Sequence, residues 1–558
     1  MIEHFEPLSP AERAVIADVA SGAMTRLGAA PPEPDARERV VRAELLRLLL
    51  LGGPGVPRMH EKGMRISGAL IEGPLDLEGC RLGWDLHLAD CRFDSALVLR
   101  SAALGSLLLD GSQAPGLWAS GLETRGHAHL RAVAVDGPVD VSGARIGGAL
   151  TADGARIERP GGVALFAEGI EARGGMLLRG AEIRGTVALP GARIGADLDL
   201  TGARIEAARD DALRAQSVKV DLDLILRRAS LTGRCALTGA HVGGDADFEG
   251  CAISAPGDDA LSLNRARVDG MLILRGEARI EGLLNLNATS VEALVDAPDS
   301  WPGPGDLAIN RFLYNAFLNG PTDAPRRLDW LERQSPERWG EDFQPQPYEQ
   351  AAAVLAATGH GEDAQSVMVA KERLQRRARR RRASPWAWRA FLWFSDGLLR
   401  ITLSYGRRPL RAFLWLAMFW GIGVAMFSAA EFAGALRPAP VVAQRSPEWV
   451  LCGATAAERV ELPSLGLARA GIAAPGQTQL DCYLGQPEAA SFQQFNAWMY
   501  SLDVILPAAE TGQLDAWAPD QRHPLGALAQ ASAYALTVIG WALSLLAVAG
   551  FSGIVRAR

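Results

Sequence analysis

Between residues 64 and 253, apolar residues come in pairs of the form apolar-x-apolar, and the pairs recur every five or six residues. The series begins Met64/Ile66, Ala69/Ile71, Leu75/Leu77, Cys80/Leu82, Leu86/Leu88, Cys91/Phe93, Leu97/Leu99, Ala102/Leu104, with steps of 5, 6, 5, 6, 5, 6 and 5. The rhythm returns from Met176/Leu178 to Ala203/Ile205, and again from Leu224/Leu226 to Cys251/Ile253. A helix of 3.6 residues per turn cannot hold this step, and a long strand would alternate every two residues. Short strands separated by corners can: one pair faces inward on each side of a coil, and the next side starts five or six residues on. Four sides make about 22 residues, so residues 64–298 should hold roughly ten coils spaced about 4.8 Å apart.

The motif G-A-R-I at residues 143–146, 154–157, 191–194 and 202–205 shows how one side is built. Glycine turns the corner, alanine fits a narrow interior, arginine points to water and isoleucine stacks on its neighbours above and below. These residues resemble a degenerate pentapeptide-repeat β-helix. The resemblance implies an all-β right-handed solenoid with helical caps, and no particular activity, since a fold does not supply a site.

A longer period is superimposed. Leu109, Ile157, Ile205 and Ile253 recur at a constant spacing of 48, and the last three precede polar insertions, ERPGG, EAARDD and SAPGDD. Two coils plus a few extra residues give this spacing, so the insertions are expected to stack as a ridge carrying Asp210, Asp211, Asp258 and Asp259. Such a ridge is either a set of solvated loops left by duplication or a docking edge for a basic protein partner. Cys80, Cys91, Cys235 and Cys251 sit where small residues pack, at spacings that suit no zinc motif. His127 and His129 read as a surface pair.

Residues 1–30 carry acidic side chains and no apolar run of signal-peptide length, which predicts a cytoplasmic start. A capping helix is expected over 34–51, stopped by Gly52, Gly53 and Pro54. Trp301-Pro-Gly-Pro is expected to end the coils, followed by an αα-hairpin over 348–358 and 362–379. Residues 371–382 then hold eight positive charges and one negative, among them Arg376, Arg377, Arg379, Arg380, Arg381 and Arg382. The whole chain carries a net charge of −7, so this collar is local.

Twelve of the 14 tryptophans lie after residue 300, which points to a different environment there. Residues 385–408, with Trp386, Trp388 and Trp393 and ending at Arg407 and Arg408, suit a helix in the headgroup region. Beside it, the basic collar is best explained by anionic lipid headgroups rather than nucleic acid. Neither 412–430 nor 525–555 carries a charged side chain, which predicts two spans, 412–430 and 527–552. Arginines before the first and after the second place both termini in the cytoplasm of a bacterial inner-membrane protein. Residues 431–490 form the outer loop, an oxidising space where Cys452 and Cys482 are expected to pair. A half-length amphipathic helix over 491–507 either rests on the membrane surface or re-enters.

This order resembles a two-span pore-domain channel, although T-V-G-Y-G is absent, so an acidic ring would be Asp503 and Glu510. The segments GMRISGALIEGPLDLEGCRL, QPQPYEQAAAVLAATGHGEDA and YSLDVILPAAETGQLDAW resemble bacterial proteins labelled membrane-associated oxidoreductases, which implies a redox cofactor. The chain offers no G-x-G-x-x-G after a strand, no C-x-x-C-H and no haem or flavin ligand set. The expectation is therefore no cofactor, no metal and no enzyme. The expected role is a membrane-anchored cytoplasmic scaffold that docks a protein partner. A homo-oligomeric channel is the alternative.

Overall fold

The computed structural model describes residues 2–382, 410–462, 465–506 and 508–551. The chain divides into two compact units, Met1–Gln375 and Arg376–Arg558. The expected interfacial segment, with Trp386, Trp388, Trp393, Arg407 and Arg408, lies outside the described residues.

The first unit is a parallel β-solenoid of about eleven turns. A coil carries four short strands, for example Ala103–Leu104, Leu107–Leu108, Gln113–Ala114 and Leu117–Trp118. The next coil repeats them in parallel register at Glu123–Thr124, Ala128–His129, Ala134–Val135 and Val139–Asp140. The apolar pairs line the interior: of the first eight pairs, only Cys80 is not buried. One column of the register runs through Met64, Leu86, Leu107, Ala128 and Leu150, in steps of 22, 21, 21 and 22. Beyond Leu150 it continues through Met176, Leu198, Leu224, Ala246, Leu272 and Leu294, and the steps become 26, 22, 26, 22, 26 and 22.

That alternation is the longer period. Ile157, Ile205 and Ile253 do occupy one column, with Ile183 and Leu231 between them. Leu109 does not belong to it. The Ile157 column continues through Val135 to Ala114, whereas Leu109 follows the Leu107 strand on another side. Its apparent membership is coincidental, because the early coils lack the wide turn. Two of the wide turns close over a glycine of the following coil. A Cβ at Gly185 would lie 2.7 Å from the carbonyl oxygens of Arg159 and Gly162, and one at Gly282 would lie 2.9 Å from that of Asp258.

Both ends differ from expectation. Within the segment expected to be one capping helix, only Ala43–Leu51 is α-helical. Val40–Arg42 is a strand pairing with Leu70–Glu72, and Thr25–Arg26 pairs with Ile66 and Ser67. The first coil presents open N–H and C=O groups, and β-branched Val40 and Val41 serve better as a strand that satisfies them. A helix over Pro10–Val19 starts with a capping box between Ser9 and Glu12. Glu12 is also held by Arg42, Nε to Oε1 2.7 Å. At the other end the coils run past Trp301, because Leu307–Ala308 pairs in parallel with Leu284–Asn285, and Ala316–Leu318 with residues 293–295. The turn at Pro302 and Pro304 is a corner and not a terminus.

An additional helix, Ala324–Glu332, is locked onto this last coil by a buried ion pair. Arg327 donates to Asp296 through Nη1 (2.7 Å) and Nη2 (2.8 Å), and its Nε donates to the Pro321 carbonyl at 2.6 Å. The guanidinium lies 3.6 Å from the centre of the Phe317 ring, and Trp301 Nε1 donates to Asp296 at 2.8 Å. Both Asp296 oxygens and all three guanidinium nitrogens thus have partners, which is what burying such a pair requires. Helices Gln346–Ala357 and Gly361–Arg382 follow.

In the second unit, two helices, Leu410–Phe432 and Pro524–Phe551, are long and apolar enough to cross a membrane. Between them lie a two-stranded pairing of Leu436–Pro438 with Trp517–Pro519, a hairpin of Arg459–Leu462 with Leu467–Ala470, and the disulfide Cys452–Cys482.

Candidate functional site

The half-length helix is Ala497–Ile505, nine residues or about 14 Å at 1.5 Å per residue. Asn496 caps it, accepting from the N–H groups of Trp498 (3.0 Å) and Met499 (3.2 Å). Trp498 and Met499 are exposed. Tyr500, Ser501, Val504 and Ile505 are buried instead.

These four residues pack against the middles of both long helices. Ser501 Oγ donates to the Trp420 carbonyl at 2.9 Å, and Trp420 Nε1 donates to the Trp498 carbonyl at 3.1 Å. Phe427 meets Tyr500 edge-on with ring centres 4.7 Å apart. From the second helix, Thr537 Oγ1 donates to the Val504 carbonyl at 3.2 Å. Two glycines permit the approach. A Cβ at Gly423 would collide with Ser501 Oγ, and a Cβ at Gly540 with the Ile505 carbonyl. Small residues of this kind let helices close on one another where lipid gives no hydrophobic drive. The half-length helix is therefore wedged between the long helices at their midpoints and does not lie across their ends.

After Ile505 the chain turns back alongside the helix. Asp503 is 8 % exposed and accepts three hydrogen bonds from this return segment: Thr511 N–H at 2.8 Å, Thr511 Oγ1 at 2.9 Å and Gln513 N–H at 3.1 Å. Gln513 reaches across to the Gln494 carbonyl at 3.1 Å, and its own oxygen accepts from Asn496 N–H at 3.1 Å. Trp517, fully buried, donates to the Gln493 carbonyl at 2.8 Å. The segment then joins the strand pairing beside Leu436–Pro438. Asp503, expected in an acidic ring, is instead the brace of this loop, because its oxygens are consumed by backbone and hydroxyl donors. Glu510, the other expected member, is exposed.

Sequence reasoning missed Gly423, Gly540, Ser501 and Thr537. Their signal is the small or hydroxyl residue at the centre of an apolar run, whose partner only the structure supplies.

On the solenoid, the expected acidic ridge is partly paired. Asp211 is 7 % exposed and paired, with Oδ1 2.6 Å from Arg234 Nε and Oδ2 3.4 Å from Arg214 Nε. Arg234 reaches Asp258 as well, at 3.5 Å, and Asp259 accepts from Asn285 at 2.9 Å. The side chain of Asp210 lies outside the described residues. The narrow coil between two wide ones supplies an arginine to one acid above it and one acid below it. Arg184 does the same between Glu158 (3.5 Å) and Glu206 (4.0 Å).

An open groove of about 730 Å³ runs beside Arg81, Arg125, Arg145, Arg173, Glu123 and Glu171. Its carboxylates are already paired, Glu123 with Arg145 at 2.9 Å and Glu171 with Arg193 at 2.7 Å. His127 accepts from the Ala149 N–H at 3.0 Å, and its ring lies 5.3 Å from that of His129. Burial pushes the Cys91 and Cys251 thiols up to about 12, far from a reactive thiolate. Among the described residues no group of three or more His, Cys, Asp or Glu side chains converges as for a metal ion. On the helix Gly361–Arg382, the side chains of Arg377, Arg379 and Arg381 are exposed, while Arg376 and Arg380 are half-buried. The side chain of Arg382 lies outside the described residues.

No family model, curated protein or solved structure matches this chain. The oxidoreductase resemblance therefore gains no support from known proteins.

Proposed function

We propose that the chain is one subunit of a homo-oligomeric membrane pore, joined to a solenoid on its cytoplasmic side. The observation that carries this reading is the wedged half-length helix with its braced return loop. Irregular backbone at the depth of a membrane is tolerated only when buried in protein or lining a water-filled cavity. Here Asp503 spends its carboxylate holding such backbone in place, which a helix resting on a membrane surface has no need to do. Two spans cannot enclose a pore alone, so several copies are required. Phe413, Leu414, Met418 and Ile422 on the first long helix, and Val538, Trp541, Leu545 and Val548 on the second, are large, apolar and exposed. They are suited to lipid or to a neighbouring copy.

The docking-scaffold reading drew on an acidic ridge, and the pairing of Asp211 with Arg214 and Arg234 weakens that support. In this proposal the arginine collar contacts anionic headgroups on the cytoplasmic face of a bacterial inner membrane. The test is the mass of the full chain in mild detergent together with ion flux after reconstitution into liposomes. An oligomer that conducts is expected. A monomer, or an oligomer without flux, overturns the reading.

A further inference from the structure

We infer that the permeant species is an inorganic cation, that Glu510 sets this selectivity, and that Asp503 serves it only by positioning. The inference rests on the pore reading above. Its first ground is the charge of the chain around the half-length helix. From Ala470 to Gln521 there are six acidic residues, Asp481, Glu488, Asp503, Glu510, Asp515 and Asp520, and no lysine, arginine or histidine. The stretch before it, 431–469, is balanced, with four acids and four arginines. The chain around the half-length helix thus carries negative charge without compensating cations, although only Asp503 and Glu510 lie on the helix and the turn that follows it, and such a field raises the local concentration of cations and lowers that of anions.

The second ground is the contrast between the two carboxylates nearest the loop. Asp503 is buried with three donors on its oxygens, so its lone pairs are already used. Glu510 is exposed and makes no ion pair or hydrogen bond to another described residue. It is nevertheless held in place, because the next residue, Thr511, is tied to Asp503 through both its N–H and its hydroxyl. A carboxylate at this position facing lipid would be strongly disfavoured. Facing a shared aqueous axis, the same group from each copy forms a ring that replaces part of a cation's hydration shell.

The experiment reconstitutes the full chain in liposomes and reads the reversal potential across a potassium chloride gradient. The wild type is expected near the potassium equilibrium value. Glu510→Gln should lower the potassium-to-chloride permeability ratio by roughly tenfold or more. Glu510→Asp should restore most of it. Asp515→Asn, which removes one charge from the exposed outer part of the loop, should leave the ratio within about twofold, because exposed charges are screened over about 10 Å. Asp503→Asn should reduce total flux while the channels that still conduct keep the wild-type ratio, the signature of a positioning residue. A conducting wild type that prefers chloride, or a Glu510→Gln protein with an unchanged ratio, overturns this inference and leaves the pore reading standing. A wild type that does not conduct overturns both.

Discussion

The two units use glycine for opposite purposes. In the solenoid Gly143, Gly154, Gly191 and Gly202 sit at corners with φ between 63° and 67°, and a Cβ on any of them would meet nothing within 4 Å. They are there for their backbone, since left-handed φ is costly for other residues. In the C-terminal unit Gly423 and Gly540 lie in helices of ordinary φ, and a side chain on either would strike the half-length helix. They are there for closeness. The solenoid therefore spreads its specification over many equivalent weak choices, whereas the C-terminal unit concentrates it in a few contacts between residues far apart in sequence. The cysteines follow the same division. Those of the solenoid fill small slots, and Cys452 and Cys482 close a loop across 30 positions.

This contrast can be broken most severely at a solenoid site that does not obey it, the buried pair of Arg327 and Asp296. Arg327→Met should strand Asp296 in the interior and cost about 3–5 kcal/mol. Faster hydrogen exchange over residues 290–332, with coils before Leu226 unaffected, is the expected reading. Next, replacing Cys452 and Cys482 by serine should cost the loop between the long helices about 3 kcal/mol, seen as protease cleavage within 445–485 while the solenoid resists. Gly540→Ala should cost about 1–3 kcal/mol through overpacking against a backbone carbonyl and should reduce flux. Gly421→Ala, close to Gly423 in the chain but with nothing near its Cβ, should be neutral or better in both respects. Gly191→Ala should cost only about 1 kcal/mol, read from the midpoint of solenoid unfolding. The smallest effect is on pH. Burial raises the Cys91 and Cys251 thiols to about 12, so their contribution is complete below the ordinary thiol pKa and declines only as pH rises above about 9. Melting temperature in reductant should be unaffected by these thiols at neutral pH and begin to fall on the alkaline side.

Much of the solenoid was legible because its information is local. Met64/Ile66 and its successors state which residues face inward, and the insertions after Ile157, Ile205 and Ile253 state which coils are wide. What the periodicity could not reveal is how the stack ends. Val40 and Val41 fit a helical stripe as well as a strand, and only the open edge of Leu70–Glu72 decides between them. Nor does a pattern of apolar spacing show which charged residues meet. Asp296 and Arg327 are 31 residues apart. The pairing of Asp211 with Arg234 required knowing that a narrow coil lies between two wide ones. In the C-terminal unit the sequence supplied the long helices and the amphipathic segment between them. An amphipathic helix reads alike whether its apolar face meets lipid or protein, so its depth awaited Gly423, Gly540 and Thr537.

The alternation of wide and narrow coils gives the later part of the solenoid a repeat of two coils. A wide turn closes over Gly185 or Gly282 in the coil that follows, and Arg184 or Arg234 in a narrow coil serves acids on both sides. Removing a narrow coil from this stretch would set two wide turns in contact. It would leave a bulge without its glycine or acids without their arginine. Removing one wide and one narrow coil together would restore every neighbour. Over residues 150–294 the structural repeat is therefore a pair of coils, about 9.6 Å at 4.8 Å per coil, in the manner of a crystal whose repeat contains two inequivalent layers.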